Sequence, residues 1–306
     1  MRAGTAGDAS DSDSGQRRKS GHNIVFIVGC PRSGTTWLQR QLACHRAIKT
    51  GQESHLFSDA LAPLLRGWRT SLRNERAIGL AGYFTQDRFD EVIHQFLDAL
   101  LEPMVGQLEE GQLFLEKSPA HSRCMRDIVQ LLPQSRFIHV IRDARDVVAS
   151  CMEASRGWGS AWAPRDAGAA TALWLSCVGD VRGAAATLQP RQFHEVRYED
   201  ARRNPQRVLK GCAAFLSMEW SDDDIERAVA ANTVAATRAS GGTPIPLGGE
   251  LKTRHGARVV EPAGFVRTAT IGRWKTDLTM SEKYRVWRAA RAMMAQTGYA
   301  WPIFLR

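Results

Sequence analysis

Long apolar segments are missing from this sequence. Nowhere do about 18 apolar residues follow one another, which is the length needed to cross a bilayer. The N-terminus also lacks the apolar stretch of a secretory signal. We therefore expect a cytoplasmic protein with no membrane span. Large apolar side chains are absent from 2–20, so 1–20 is predicted to be a disordered tail in front of one globular domain, 21–306.

Patterns that bind metal ions are also absent. The six cysteines are scattered, and none of them forms a C-x-x-C pair or lies near histidines at zinc spacing. We find no pair of carboxylates after an apolar strand of the kind that holds Mg²⁺. The sequence therefore predicts reduced thiols and no metal site.

Positive charge is in excess. The formal net charge is +9, and the residues outside the tail carry +8 of it. A basic domain favours an anionic ligand. Because the lysines and arginines are scattered, with no basic run interleaved with aromatic residues, we expect no nucleic acid partner. A phosphorylated small molecule fits the charge at least as well.

The order of apolar segments predicts the fold class. Short β-rich runs at 23–28, 113–115, 136–141 and 193–198 alternate with segments of helical periodicity. This rhythm is typical of an α/β fold, here a three-layer, P-loop-like architecture with a central, mainly parallel sheet flanked by helices. Ligands of such folds bind at the carboxyl ends of the strands.

Several helix boundaries can also be predicted. Residues 85–102 form an amphipathic helix that Pro103 is expected to stop, and a second helix is expected over 122–132. Asn204 with Pro205 predicts an N-cap, and Thr279 with Glu282 predicts a capping box. The Gly- and Pro-rich stretch 239–266 is interpreted as a long loop, either a lid or a substrate-binding segment.

A glycine-bearing loop joins the first strand to its helix, where backbone N–H groups and the helix dipole favour an anion. It differs from the loop of nucleotide triphosphatases, G-x-x-x-x-G-K-[ST], because Thr35 stands in the lysine position. Arg32 instead supplies a cation two residues before Gly34. This change disfavours a nucleotide triphosphatase.

The string C-P-R-S-G-T-T-W-L in this loop resembles the 5'-phosphosulfate loop of the sulfotransferases that use 3'-phosphoadenylyl sulfate (PAPS). The residues that this resemblance implies at the 5'-phosphosulfate are Arg32, Ser33, Gly34, Thr35 and Thr36. Trp37, the next residue, and Trp274 are candidates to flank the adenine.

Three further segments resemble the same family, in the same order along the chain. In the first, Arg142 and Ser150 match the arginine and serine that hold the 3'-phosphate, and an arginine fork suits phosphate. Tyr198, in Y-E-D, matches the tyrosine near the adenine. Arg267 and Thr268 belong to a C-terminal segment similar to F-x-R-K-G-x-x-G-x-W-K, in which Thr268 replaces the lysine.

The resemblance implies a metal-free transfer of a sulfuryl group from PAPS to a hydroxyl, with adenosine 3',5'-bisphosphate as product. The base remains open among Glu53, His55 and His121. Glu53 ranks first because its segment resembles the glutamate-bearing segment of the tyrosylprotein and heparan sulfate sulfotransferases, with His55 as an orienting neighbour. Lys117 lies in a segment that resembles E-K-[ST]-P, which implies that it stabilises the sulfuryl and leaving groups.

Two other functions stay open at this point: a small-molecule kinase or other P-loop nucleotide triphosphatase, and a non-catalytic binder of nucleotides or polyanions. The acceptor is also open, among natural products, carbohydrates, glycolipids and peptide tyrosine. A composition rich in Ala, Arg and Gly favours a bacterial source with a high-GC genome, and hence secondary metabolism or a cell-envelope lipid. The oligomeric state stays open, with a homodimer as the one assembly considered.

Overall fold

A computed structural model describes residues 21–74, 78–233, 235–236 and 270–299. The predicted tail, the stretch 239–266 and the two candidates Arg267 and Thr268 lie outside the described residues. No helix in the described ranges is both long and apolar enough to span a membrane.

Five parallel strands form the central sheet of the described chain. They are β1 (Ile24–Val28), β2 (Ile48–Thr50), β3 (Leu113–Lys117), β4 (Arg136–Ile141) and β5 (Phe193–Arg197). Their order across the sheet is β2-β3-β1-β4-β5. The first strand is therefore central, with a partner on either side.

Helices cover both faces of the sheet. In chain order they are α1 (Thr35–Leu42), α2 (Ala62–Leu72), α3 (Gln86–Val105), α4 (Met125–Leu131), α5 (Ala144–Ser155), α6 (Ala167–Ala185), α7 (Tyr198–Arg203), α8 (Pro205–Leu216), α9 (Asp222–Ala231), α10 (Trp274–Asp277) and α11 (Met280–Gln296). Side chains of β1 alternate between the two layers, with Phe26 in one hydrophobic cluster and Val25 and Ile27 in the other. This burial on both faces explains why β1 reads as a continuous apolar run. The α/β prediction is confirmed.

Most predicted boundaries lie within a few residues of the observed ones, with two exceptions. Pro103 does not stop α3, which continues to Val105 because Leu101 and Val105 both pack into the core. Proline lacks the N–H donor, yet the last turn closes through Gly106 N–H to the Glu102 carbonyl at 2.8 Å. The helix expected over 122–132 is α4, preceded by a 3₁₀ segment, Pro119–Cys124.

Candidate active site

The carboxyl ends of the five strands bring the predicted site residues to one edge of the sheet. Glu53 follows β2, Lys117 ends β3, and the glycine-bearing loop follows β1. Arg142 follows β4 and Tyr198 follows β5. The strand order therefore places them in a row, with Glu53 at one end and Tyr198 at the other.

The loop after β1 depends on glycine at Gly34. Its φ is +98°, and a Cβ there would lie 2.4 Å from Cδ2 of Tyr198. The tyrosine ring therefore lies directly against the loop backbone. The helix α1 begins at the next residue, so the N–H groups of its first turn face the same edge. This cradle of backbone donors suits a phosphate or sulfate.

The substitution Gly34→Ala is expected to abolish nucleotide binding. An alanine at this φ costs about 1–3 kcal/mol in strain, and its methyl group would displace either the loop or Tyr198. Calorimetric titration with adenosine 3',5'-bisphosphate measures the loss. Gly179→Ala is the matched control, because a Cβ there has no atom within 4 Å; if both variants bind equally well, the loop is not the nucleotide site.

Arg142 is buried at the centre of this edge. Its guanidinium donates to the carbonyls of Arg32 (3.1 Å) and Thr270 (3.3 Å) and lies 4.2 Å from the centre of the Tyr198 ring. Its Nε is buried and has no hydrogen-bond partner among the described residues. An unpartnered donor of an arginine fork is a free position for an anionic oxygen.

Arg32 connects the loop to the helix that follows Arg142. It has a left-handed backbone (φ +74°), and its Nε donates to Ser150 Oγ at 3.1 Å. Its guanidinium also lies 5.0 Å from the centre of the Trp158 ring. The structure thus brings together Arg32, which the family resemblance assigns to the sulfate, and Ser150, which it assigns to the 3'-phosphate.

Two acidic residues that the sequence analysis did not single out hold this region in place. The Asp146 carboxylate accepts the N–H groups of Gly272 (2.7 Å) and Trp274 (3.0 Å), which fixes the C-terminal segment beside Arg142. Burial raises the pKa of Asp146, although these two donors and Arg142 oppose the shift. Glu199 accepts from Asp143 N–H at 3.1 Å and from the Tyr299 hydroxyl at 2.8 Å.

Glu53 and Lys117 form an ion pair at the other end of the edge. The lysine side chain is only 3% exposed, whereas the glutamate is 33% exposed and so accessible to an acceptor molecule. The second carboxylate oxygen of Glu53 lies 3.2 Å from Nε2 of His55. His55 has a left-handed backbone (φ +50°), and its Nδ1 lies 3.3 Å from Ser58 Oγ.

His121, the alternative base, lies behind this pair and is 0% exposed. Its Nε2 accepts the Phe57 N–H at 3.1 Å, so the proton of the ring is on Nδ1, which lies 3.1 Å from Glu116 Oε2. Burial alone would raise the pKa of Glu116, but His121 and the hydroxyls of Ser54 and Ser118 outweigh it and lower that pKa to about 2. Both ring nitrogens of His121 are therefore occupied.

The tryptophans considered for the adenine differ in exposure. Trp37 is half-buried, with the Arg202 guanidinium 5.9 Å from its ring centre. Trp274 is buried, with the Arg145 guanidinium 4.1 Å from its ring centre. Glu116, Asp146 and Glu199 could not be singled out from the sequence, because each accepts hydrogen bonds from a segment at least 56 residues away in the chain.

Known proteins have sequences similar to this chain. Residues 24–222 match the sequence profile described as the Sulfotransferase family. Protein-tyrosine sulfotransferase 1 of Danio rerio is 25% identical over 205 residues, which are 65% of this chain and 54% of that relative. A putative protein-tyrosine sulfotransferase of Caenorhabditis briggsae is 32% identical over 133 residues, 42% of this chain and 43% of the relative. The chain spans about half the length of these curated relatives.

Solved structures show the same fold. The sulfotransferase domain from the curacin biosynthetic pathway has a TM-score of 0.56 at 21% identity, with 92% of this chain and 99% of that chain covered. A mouse sulfotransferase complexed with PAP has a TM-score of 0.56 at 14% identity, with 89% and 84% covered. Because the family profile matches well over half of the sequence, the chain belongs to the sulfotransferase family.

Proposed function

We propose that this protein transfers a sulfuryl group from PAPS to an acceptor hydroxyl, in line and without a metal. The observation that carries the proposal is the row of residues along one edge of the sheet, with a phosphate-binding loop and Arg142 on one side and the Glu53–Lys117 pair on the other. Donor and acceptor would therefore meet over β1.

The donor side fits a nucleotide with two phosphate groups. The loop after β1 offers backbone N–H groups and Arg32 for the 5'-phosphosulfate, while Arg142 and Ser150 lie on the β4 side for the 3'-phosphate. The free Nε of Arg142 supports this assignment. Tyr198, packed between Gly34 and Arg142, is proposed to border the adenine.

In the proposed reaction the acceptor oxygen forms a bond to sulfur while the bond from sulfur to the leaving phosphate oxygen breaks. Glu53 takes the proton of the acceptor hydroxyl, a general-base role that requires an exposed carboxylate within hydrogen-bond reach. Lys117 and Arg32 provide positive charge for the sulfuryl group and the leaving oxygen. Lys117 also holds the Glu53 side chain in place through their ion pair.

His121 is a poorer base than Glu53 on this geometry. It has no exposed surface, and the pocket that it lines with Phe26, Phe57 and Glu116 has no room for a water molecule. A base needs contact with the acceptor, directly or through one water. We therefore propose that His121 acts through its neighbours.

Acceptors with a flat face fit the surface next to the reacting end. Trp158 lies against Arg32, and the ring of Trp162, tilted by 51° with its centre 5.6 Å from that of Trp158, is 45% exposed. Such a wall suits an aromatic ring or the apolar face of a sugar. Natural products, carbohydrates and glycolipids remain the proposed acceptors, along with the peptide tyrosine that the names of the curated relatives suggest.

The six cysteines are free thiols, which fits a reducing cytoplasm.

A P-loop kinase is the competing function. It requires a lysine where this chain has Thr35, and carboxylates free to hold Mg²⁺. The two carboxylates just after β4 are already engaged, Asp143 with the Arg145 guanidinium at 2.6 Å and Asp146 with two backbone N–H groups. The geometry therefore favours sulfuryl transfer.

Thermal unfolding with added nucleotides tests the proposal. Adenosine 3',5'-bisphosphate at about 100 times its Kd is expected to stabilise the protein by about 2.7 kcal/mol. ATP with Mg²⁺ is expected to give a smaller shift, because it has no 3'-phosphate for Arg142. Stabilisation by ATP and Mg²⁺ alone would instead favour the kinase.

A further inference from the structure

The loop that carries Glu53 is held by hydrogen bonds to residues at the end of β3 and just after it. Ser54 donates to Glu116 Oε1 through its N–H (3.2 Å) and its hydroxyl (2.6 Å). The His55 N–H donates to Ser118 Oγ at 3.2 Å, and that hydroxyl donates to Glu116 Oε1 at 2.7 Å. The Phe57 N–H donates to His121, as described above. Three successive anchoring points thus hold 54–57.

We propose that Glu116 and His121 act as positioning residues, which hold this loop so that Glu53 and Lys117 face the acceptor in a fixed geometry. The inference rests on the proposed role of Glu53 as base. Glu116 and Lys117 are neighbours in β3, so one strand sets the position of both the lysine and the anchor of the loop. Glu116 and His121 would therefore govern turnover, with little effect on the affinity for the donor.

The surroundings of Glu116 indicate that packing is not its main role. The pocket beside it is lined mostly by apolar residues, among them Ile24, Phe26, Leu101 and Phe114. An ionised carboxylate in such a place costs several kcal/mol unless its hydrogen bonds are complete, and apolar side chains would fill it at lower cost. Glu116 is 4% exposed and accepts four hydrogen bonds. It therefore serves the loop that donates to it.

The backbone of His55 supports the same interpretation. A left-handed conformation of a residue other than glycine costs about 1–2 kcal/mol, and His55 adopts one at φ +50°. The anchors on both sides, at Ser54 and Phe57, and the Ser118 hydroxyl at its own N–H can hold it there. Strained backbone of this kind is often found where a functional side chain must point in one direction.

The substitution Glu116→Gln tests the proposal because an amide cannot serve both ends of the loop. Whichever way the amide is turned, its NH₂ faces a donor, either Nδ1–H of His121 or the N–H of Ser54. One anchor is lost while the size of the side chain is kept. We expect amide hydrogen exchange of 53–57 to become about tenfold faster, the equivalent of one net hydrogen bond.

Turnover and donor affinity should respond differently. With an acceptor found by screening, kcat of Glu116→Gln is expected to fall about 100-fold, which is the effect of misplacing reacting groups by about 1 Å. The Kd for adenosine 3',5'-bisphosphate should stay unchanged. Glu195→Gln is the matched control, because Glu195 also pairs with a histidine, His139 Nδ1 at 3.1 Å, but lies away from this loop. Its amide hydrogen exchange at 53–57, its Kd and its kcat should equal those of the wild type.

Three outcomes would overturn either the positioning role of Glu116 or the proposed function. Faster exchange throughout the chain, with Kd and kcat reduced together, would show that Glu116 only stabilises the fold and would overturn the proposal. Unchanged exchange at 53–57 would overturn it as well. If instead the wild type fails to bind adenosine 3',5'-bisphosphate, the proposed function is wrong, whereas the exchange result still reports on the anchoring of the loop.

Discussion

The variant Glu53→Gln is expected to lose about three orders of magnitude in kcat, within the range for removal of a general base. Glutamine keeps the size of the side chain and its hydrogen bond from Lys117. It cannot take a proton from the acceptor, so only the chemical step is impaired. The measurement is the release of adenosine 3',5'-bisphosphate from PAPS in the presence of the acceptor. The Kd for that product should not change.

The control for this prediction lies in the helical segment Leu56–Leu61, just after Glu53. Asp59 also faces His55, at 4.0 Å, but it is exposed, and its carboxylate accepts from the Ser58 hydroxyl at 2.7 Å. Asp59→Asn is therefore expected to change kcat by no more than about fivefold, as for a surface ion pair. A small effect of Glu53→Gln combined with a large effect of His121→Asn would show that the histidine is the base, contrary to our assignment.

The variant Arg142→Ala is expected to weaken binding of adenosine 3',5'-bisphosphate by at least about thirtyfold, since truncating one partner of a buried charge pair costs about 2–5 kcal/mol. The side chain is buried, and its guanidinium also supports the loop through the Arg32 carbonyl. Arg142→Lys should restore little of the affinity, because a lysine cannot form a bidentate hydrogen bond to the 3'-phosphate. Calorimetric titration gives the Kd of each variant.

A comparison of nucleotides shows whether the lost affinity belongs to the 3'-phosphate. Adenosine 5'-monophosphate lacks that group, so Arg142→Ala should weaken its binding far less. Arg136→Gln is the matched control, because Arg136 begins the strand that Arg142 follows and donates to the Leu216 carbonyl at the opposite edge. Equal losses for both nucleotides would mean that Arg142 supports the loop and does not contact the 3'-phosphate.

Much of this architecture can be predicted from the sequence because its signals are local. Buried strands such as β4 have apolar runs with sharp ends, and caps such as Asn204 and Thr279 precede their helices by one residue. Parallel strands then bring their carboxyl ends to one edge without further information. The resemblance to the sulfotransferases grouped Arg32 and Arg142, and the structure places both after neighbouring parallel strands.

The anchoring carboxylates could not be predicted in this way. Asp146 and Glu116 bind N–H groups of segments 126 and 62 residues away. Every residue except proline has such a group, so these backbone partners cannot be recognised from the sequence. The continuation of α3 past Pro103 is similar, since burial of Val105 outweighs a local preference only once the core is assembled.

A crystal structure with adenosine 3',5'-bisphosphate is the most direct test of a donor site that bridges β1 and β4. Our account predicts the 5'-phosphate on the N–H groups of the loop at Gly34 and the 3'-phosphate on Arg142 and Ser150. It also predicts the leaving oxygen on the side of Lys117. Finding the nucleotide elsewhere, or with its 3'-phosphate in solvent away from Arg142, would contradict the account.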